Sequence, residues 1–396
     1  MAKSLVEKAE KLAPRLSKVR RQIHMYPELG YQEKRTAAFV AKTLKQIGLE
    51  VSTGVARTGV VGLLRGETRG RTVALRADMD ALPITEQNRK PYRSRNEGVM
   101  HACGHDGNTA TVIGAAMLLA AERNSLKGNV KFIFQPSEEA PPGGALYMIR
   151  AGALRNPKVD YVIGVHVDPS IPAGKIGFRD GPMMAAADDF SLNILGTAAH
   201  GAKPHLGVDA IALTAQVIQA LQTVPSRFIN PTHPVVVTIG TIKGGYRQNV
   251  IADRVDMEGT LRTLYKADRT KGRKMIERLT RNITRSAGGD YEFDFRDGYP
   301  ILQCDPAVTD VVRSATRELF GKRAVVEIDE PSMGGEDFAY FVNEVPGMMF
   351  RLGTGNKSKG IVYPWHHPKF DLDEKGLWVG AAVMARATRV CLEELG

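Results

Sequence analysis

The segment Met100-His101-Ala102-Cys103-Gly104-His105-Asp106 puts a thiol and an imidazole two residues apart, just before the small, apolar run from Thr109 to Ala121. At that spacing a thiolate and an imidazole can reach one metal ion or an ion pair, and the adjoining glycine permits the tight backbone this requires. The thiolate is soft enough to favour zinc, with manganese, cobalt and nickel also compatible. Asp106 follows His105 and is placed to orient its ring from behind. The alternative reading makes Cys103 a buried thiol and the histidines caps of the following helix.

Further donors lie elsewhere in the chain. Gln135-Pro136-Ser137-Glu138-Glu139 follows the apolar strand predicted over Asn129–Phe134, so two adjacent carboxylates stand at the carboxyl end of a strand, where α/β sheets place their sites. One could bind metal while its neighbour acts as general base toward a water acidified by the metal. Adjacent glutamates are more often a solvated loop; the strand-end position and the Gly-rich stretch Pro141–Gly144 favour a site here. His166 ends another apolar strand, in Val165-His166-Val167-Asp168-Pro169, where the rival reading is a hydrogen-bonded core histidine. Trp365-His366-His367-Pro368 adds an imidazole pair, one of which is expected to be merely exposed. Five donors from four loops would hold two divalent ions, which in paired sites lie roughly 3.5–4 Å apart, with Cys103 available as a bridge.

Two sets of polar residues fall in the middle of the chain. Ala199-His200-Gly201 follows an alternating strand, and His200 there could donate a hydrogen bond to the oxyanion of a tetrahedral intermediate. Arg247-Gln248-Asn249, with Arg262 on the next strand, suits a substrate carboxylate, which a guanidinium can bind in bidentate fashion.

The elements that must position these groups follow from hydrophobic periodicity. Helical spacing over residues 4–25 and 35–48 precedes strands at Gly59–Leu64 and Thr72–Leu75. The buried helix Thr109–Ala121, the strand Asn129–Phe134, another helix and the strand Tyr161–Val167 follow. Strands alternating with helices argue for an α/β unit with a mixed, largely parallel sheet flanked by helices. After Arg179-Asp180-Gly181-Pro182 the pattern changes to strand Asp189–Gly196, helix Ile211–Leu221, strands Val235–Ile242 and Val255–Leu261, helix Thr270–Ala287 and strand Tyr291–Asp294. That is a β-α-β-β-α-β layer of ferredoxin-like type. The α/β pattern then resumes with helix Ala307–Leu319, strand Ala324–Glu327 and a final helix Gly376–Leu395. A metal-binding catalytic domain over 1–186 and 297–396, interrupted by a satellite domain over 187–296, is therefore expected.

Composition narrows the function classes. Hydrophobic residues are 43% and charged residues 24%, an ordinary globular profile. Cys103, Cys304 and Cys391 are odd in number and far apart, so no disulfide framework is indicated. The N-terminus has no apolar signal region, and no stretch approaches the ~20 apolar residues that span a bilayer. A soluble, cytoplasmic protein is expected, without membrane partners. The net charge of +11 raises the question of nucleic acid, but Lys and Arg are scattered and aromatics are only 7%. The positive field would instead attract carboxylate substrates.

Taken together, these residues resemble the zinc-peptidase-like aminoacylase/carboxypeptidase family, in the branch of hippurate hydrolases, auxin-conjugate amidohydrolases and thermostable carboxypeptidases. Besides HACGHD and QPSEE, the likeness includes RQIHMYPEL (21–29), LRADMDALPI (75–84), GPMMAAADDF (181–190), NVIADRVDMEGTLR (249–262), GGEDF (334–338) and HHPKF (366–370). The resemblance implies a metal-dependent amidohydrolase acting on N-acyl amino acids or on a C-terminal peptide bond of a short peptide. Its metal ligands would be Cys103, His105, Glu139, His166 and His366, with Glu138 as general base and Asp80 and Asp106 behind the ligands. His200 would stabilise the oxyanion, from its own chain or from a partner subunit, while Asn249 and Arg262 would hold the substrate carboxylate. The satellite domain would form a homodimer or homotetramer and close over the substrate. Asn108 stands where the family commonly has histidine, Ala198-Ala199 where it usually has glycines, and Asp168 where an aromatic or small residue is common. Two rivals remain: a non-catalytic metal-binding protein on the same fold, and a hydrolase using Cys103 as nucleophile with His105 as its base.

Overall fold

The structure, a computed structural model, describes residues 2–393. The chain opens with α1 (Ala2–His24), α2 (Lys34–Gln46), β1 (Glu50–Val55), β2 (Gly59–Arg65) and β3 (Thr68–Asp78). Then come α3 (His105–Ala120), β4 (Lys127–Gln135), α4 (Gly144–Arg150), β5 (Tyr161–Pro172), β6 (Ile176–Phe178) and β7 (Gly181–Met184). The middle of the chain forms β8 (Ala186–Leu195), α5 (Ala210–Leu221), β9 (Val235–Gly244), β10 (Arg254–Thr263), α6 (Lys266–Ser286) and β11 (Asp290–Tyr299). The remainder is β12 (Leu302–Cys304), α7 (Pro306–Phe320), β13 (Val325–Glu327), α8 (Ala339–Glu344), β14 (Gly347–Gly355) and α9 (Lys375–Glu393). The last two residues of the expected helix Gly376–Leu395 lie outside the described residues.

Two compact units emerge, one made of residues up to Gly181, Gln303–Glu330 and the chain from Asp337, the other of Pro182–Leu302 with Pro331–Glu336. The boundaries at Pro182 and Leu302 bracket the expected 187–296.

The first unit holds an eight-stranded sheet in the order β1-β2-β4-β3-β5-β14-β6-β13. Its centre is parallel, with β3 against β4 and β5, and β5 against β14. The edge strand β1 pairs antiparallel with β2, and β2 antiparallel with β4. Parallel strands buried on both faces are nearly continuous apolar runs, and β14, Gly-Met-Met-Phe-Arg-Leu-Gly-Thr-Gly, is of that kind. Periodicity does not mark it as a strand, because it does not alternate; nor does it mark β1, which is short and mostly exposed. Helix α3 is buried on every side and packs against α1 and α9. Gly114 allows this, since a Cβ there would stand 2.8 Å from that of Ala381 and 2.9 Å from Leu16. Each fully buried Leu, Ile, Val or Phe contributes roughly 1.5–3 kcal/mol, so this helix–sheet sandwich is a stiff platform for whatever its strand ends carry.

The second unit is a four-stranded antiparallel sheet in the order β11-β8-β10-β9. Its connectivity is β-α-β-β-α-β, and α5 and α6 cover a core of Phe190, Leu192, Ile194, Leu213, Val217 and Leu261. Among the described residues no helix is long and apolar enough to cross a membrane.

Candidate metal centre

Strands β3, β4 and β5 run the same way, so their carboxyl ends lie side by side, with Asp78 level with Gln135. Three chemically active segments leave from that edge: Asp78-Met79-Asp80, Pro136-Ser137-Glu138-Glu139, and His166 within β5. The amino end of α3 joins them. The helix starts at His105, earlier than the predicted Thr109, because Gly104 adopts φ 89 and turns the chain into it. A Cβ at Gly104 would stand 2.3 Å from Val167 Cγ2, so glycine is required by both conformation and space. The loop with His366 is pinned to the Cys103 segment by a hydrogen bond from the His366 amide to the Ala102 carbonyl, 2.9 Å.

Five side chains converge here. Cys103 Sγ lies 3.5 Å from His166 Nε2. Glu139 Oε1 lies 3.9 Å from His105 Nε2 and 3.5 Å from His366 Nε2. Donor atoms fall within 4.8 Å of one another in the group Cys103, His105, His166 and in the group Cys103, Glu139, His366; a further group joins His105 to Glu138 and Glu139. The thiol thus belongs to two candidate donor groups at once.

The donors also fit cations on electrostatic grounds. His105 Nε2 and Glu139 Oε1 are buried without a hydrogen-bond partner, a costly condition that a metal ion relieves. Burial, with the Glu139 charge beside it, pushes the Cys103 thiol well above its ordinary range. A positive ion is what would make it a thiolate there. Contact with Glu139 raises the His366 imidazole against the opposing effect of burial. His366 sits at φ 63 and Ser137, just before Glu138, at φ 50. Such left-handed non-glycine residues carry strain and cluster at functional sites.

Other residues of the same motifs turn away. His367 stacks on Tyr363 at 4.4 Å and its Nδ1 accepts the Lys369 amide. His101 is buried with neither ring nitrogen hydrogen-bonded, and burial lowers its pKa to about 4, so it stays neutral. Asp106 does not take the expected part in orienting His105. Its carboxylate accepts from Arg20 Nε at 2.7 Å and His24 Nδ1 at 2.8 Å, because the first turn of α3 points it toward α1. Asp80 meets His105 instead: His105 Nδ1 is 2.9 Å from the Asp80 carbonyl and 3.3 Å from its carboxylate, which also accepts the Glu139 amide at 3.0 Å. Burial opposes ionisation of Asp80, but these partners hold its carboxyl below the usual range.

Several contributors were not legible in the sequence. Glu33, fully buried, accepts the Ser137 amide at 2.8 Å and the Thr58 hydroxyl at 2.5 Å. Arg76 donates to Asp78, Gln135 and Asp337 beneath the strand ends. Arg76, Asp78, Gln135 and Asp337 fall within LRADMDALPI, QPSEE and GGEDF, but Glu33 and Thr58 fall within none of the motifs, and apart from Arg76 and Asp78 these partners are remote from one another in sequence.

The remaining predicted residues lie in the second unit. His200 is exposed after β8, its Nδ1 accepting the Ala202 amide at 3.0 Å. The Gly201 amide donates to the Asn249 carbonyl at 2.8 Å, so these two loops run together. Arg262, on β10, donates from Nε to Thr260 Oγ1 at 2.9 Å.

Comparison with known proteins bears on this centre. The sequence pattern of Peptidase family M20/M25/M40 matches residues 74–389. The chain is similar to thermostable carboxypeptidase 2 of Saccharolobus solfataricus, 42% identical over 93% of each chain. It is also similar to the N-acyl-L-amino acid amidohydrolase of Geobacillus stearothermophilus, 44% identical over 72% of this chain and 77% of the relative. Among solved structures, a Bacillus subtilis protein described as a dinuclear metal-binding peptidase from the M20 family superposes with a TM-score of 0.86 at 36% identity, covering 98% of this chain and all of that one, 100%.

Proposed function

The chain belongs to peptidase family M20/M25/M40 and is a hydrolytic enzyme, and we propose that it uses two divalent cations to cleave the amide bond of N-acyl amino acids or the C-terminal bond of short peptides. The observation that carries the reading is the pair of donor triads sharing Cys103, with Glu138 beside the ligand Glu139. Cys103, His105, Glu139, His166 and His366 would hold the ions, zinc suiting this thiolate-containing set best and manganese, cobalt or nickel being compatible. Cations bound there supply Lewis acidity, which makes water acidic enough to deprotonate near neutral pH and offsets charge on the tetrahedral intermediate.

The protein's own part is proton transfer and positioning. Glu138 takes a proton from the attacking water and hands it to the leaving amine. It follows the left-handed Ser137, whose amide donates to Glu33, so the backbone that carries the base is anchored. His200 would donate a hydrogen bond to the oxyanion, and Asn249 and Arg262 would hold the substrate carboxylate. The names of the carboxypeptidase and acyl-amino-acid relatives support that substrate class, since in both the scissile bond adjoins an amino acid with a free carboxylate. The net charge of +11 favours approach of such anions.

The first unit would be the catalytic domain, and the second a dimerisation and lid domain of a cytoplasmic homodimer or homotetramer. A non-catalytic role is disfavoured because both the donors and the base are present. A Cys103 nucleophile is disfavoured because burial pushes its thiol upward and because Cys103 and His105, two residues apart on one tight turn, are poorly placed as nucleophile and base. Glu138→Ala tests the reading: hydrolysis should fall by about 10²–10⁴-fold or more with metal content unchanged, and an active Glu138→Ala protein would refute it.

A further inference from the structure

The β3/β5 ladder starts at Val73 and Tyr161, and its last pair is Arg76 with Gly164. Beyond that pair the two strands part, and β5 goes on to carry His166 and Val167. The side chain of Asn108, fully buried in α3, fills the opening. Its Nδ2 donates to Asp78 Oδ1 at 2.8 Å, and its Oδ1 accepts the Val167 amide at 2.9 Å. Asp78 is itself fixed by Arg76 Nη1 at 2.7 Å. The arrangement needs a donor toward a carboxylate and an acceptor toward an N–H on one short side chain, which an amide supplies at every pH.

The carbonyl of Val167 is held as well. It accepts from Trp365 Nε1 at 2.9 Å and from His166 Nδ1 at 2.9 Å. A carbonyl cannot donate, so His166 Nδ1 carries the ring proton, and Nε2 keeps the lone pair that faces Cys103 Sγ at 3.5 Å. The Trp365 ring meets the His166 ring edge-on, centroids 5.5 Å apart, and the next residue is His366.

We propose that Asn108 and Trp365 are positioning residues of the metal centre: gripping Val167 by its N–H and its C=O, they fix the tautomer and direction of His166 and tie it to the loop bearing His366. The inference rests on the reading of Cys103, His166 and His366 as metal donors. Partners that orient a ligating histidine typically change metal affinity by about 10–100-fold when removed.

The test uses the full chain loaded with cobalt(II). Asn108→Leu removes both bonds at similar volume; Trp365→Phe removes one N–H and keeps an aromatic ring. Thr111→Val is the control, deleting a buried hydroxyl bond to the Gly107 carbonyl, 2.9 Å, in the same helix. Cobalt affinity by competition with a chromophoric chelator and the visible d–d spectrum are read beside the melting temperature of the metal-free protein. The clamp predicts affinity losses of about 10–100-fold and shifted d–d bands for Asn108→Leu and Trp365→Phe, with Thr111→Val lowering only the melting temperature. Wild-type affinity and spectrum in both variants, whatever their melting temperatures, overturn it; if Asn108→Leu fails to fold, Trp365→Phe decides. A wild-type chain that takes up no cobalt overturns the metal reading and the clamp with it, whereas normal wild-type loading with unaltered variants overturns the clamp alone.

Discussion

His105 Nδ1 stands 2.9 Å from the main-chain carbonyl of Asp80, so its proton is committed there and Nε2 is turned toward Glu139, 3.9 Å away. The Asp80 carboxylate meanwhile accepts the Glu139 amide at 3.0 Å. One acidic residue therefore sets the attitude of two proposed ligands. Asp80→Ala should weaken metal binding by about 10–100-fold, measured by chelator competition on the folded variant. An affinity equal to wild type would remove the Asp80 carboxylate from the account, since the variant keeps the main-chain carbonyl.

Glu33 gives the base-bearing turn a pH signature. Burial raises its pKa above the ordinary 4.5, although hydrogen bonds from Thr58 and the Ser137 amide oppose this. The native state thus holds this proton more tightly than the unfolded chain. The stability it contributes is fully present below the unfolded pKa and is lost as pH rises through the raised native value. Relative to Glu33→Gln, the wild type should lose stability as pH climbs from about 4 toward neutrality. Denaturant titrations of both proteins across that window decide it; a difference that is flat or that grows with pH contradicts the assignment.

The outer strand of the second unit, β9, is largely exposed: Val236 is 38% and Ile242 55% exposed, on opposite faces because the ladder to β10 slips between Ile239 and Thr241, and Tyr246 beyond its end is 69% exposed. An edge strand with free main-chain donors and acceptors is a template for pairing with another copy. A homodimer joined through β9 is expected, and Ile242→Asp should shift it toward monomer in sedimentation velocity. A wild-type monomer, or an Ile242→Asp protein with unaltered association, would show that the oligomer uses another surface or does not form.

The alternation of β8, β10 and β11 and the period of α5 and α6 made the second unit legible, because each half-buried element advertises its inner face. The buried centre of the first unit was legible in type but not in extent: β14 reads as an apolar run that periodicity alone cannot classify. At the candidate metal centre, the spacing of Cys103 and His105, the glutamate pair and His166, expected at a strand end but lying inside β5, were visible because donor residues come in short local patterns. Of their supports only Asp80 was anticipated, and that through the family resemblance rather than from spacing. Asp106 sits beside His105 in sequence yet serves His24 and Arg20, whereas Asp80, Glu33 and Asn108 act across distances of chain that only the folded sheet closes. Helix geometry explains the misassignment: residues adjacent on a helix point about 100° apart, so the neighbour of a ligand seldom backs it.

The claim that most needs testing is that hydrolysis depends on two ions in this five-donor cluster. The protein should be stripped with chelator, reconstituted separately with zinc, manganese, cobalt and nickel, and assayed on N-acetyl, N-benzoyl and benzyloxycarbonyl amino acids, with metal content measured on the same samples. Activity lost on chelation and regained as stoichiometry approaches two ions per chain, on substrates with a free α-carboxylate, is the predicted result. Full activity in the metal-free protein, or metal uptake unchanged in Cys103→Ala, would contradict it.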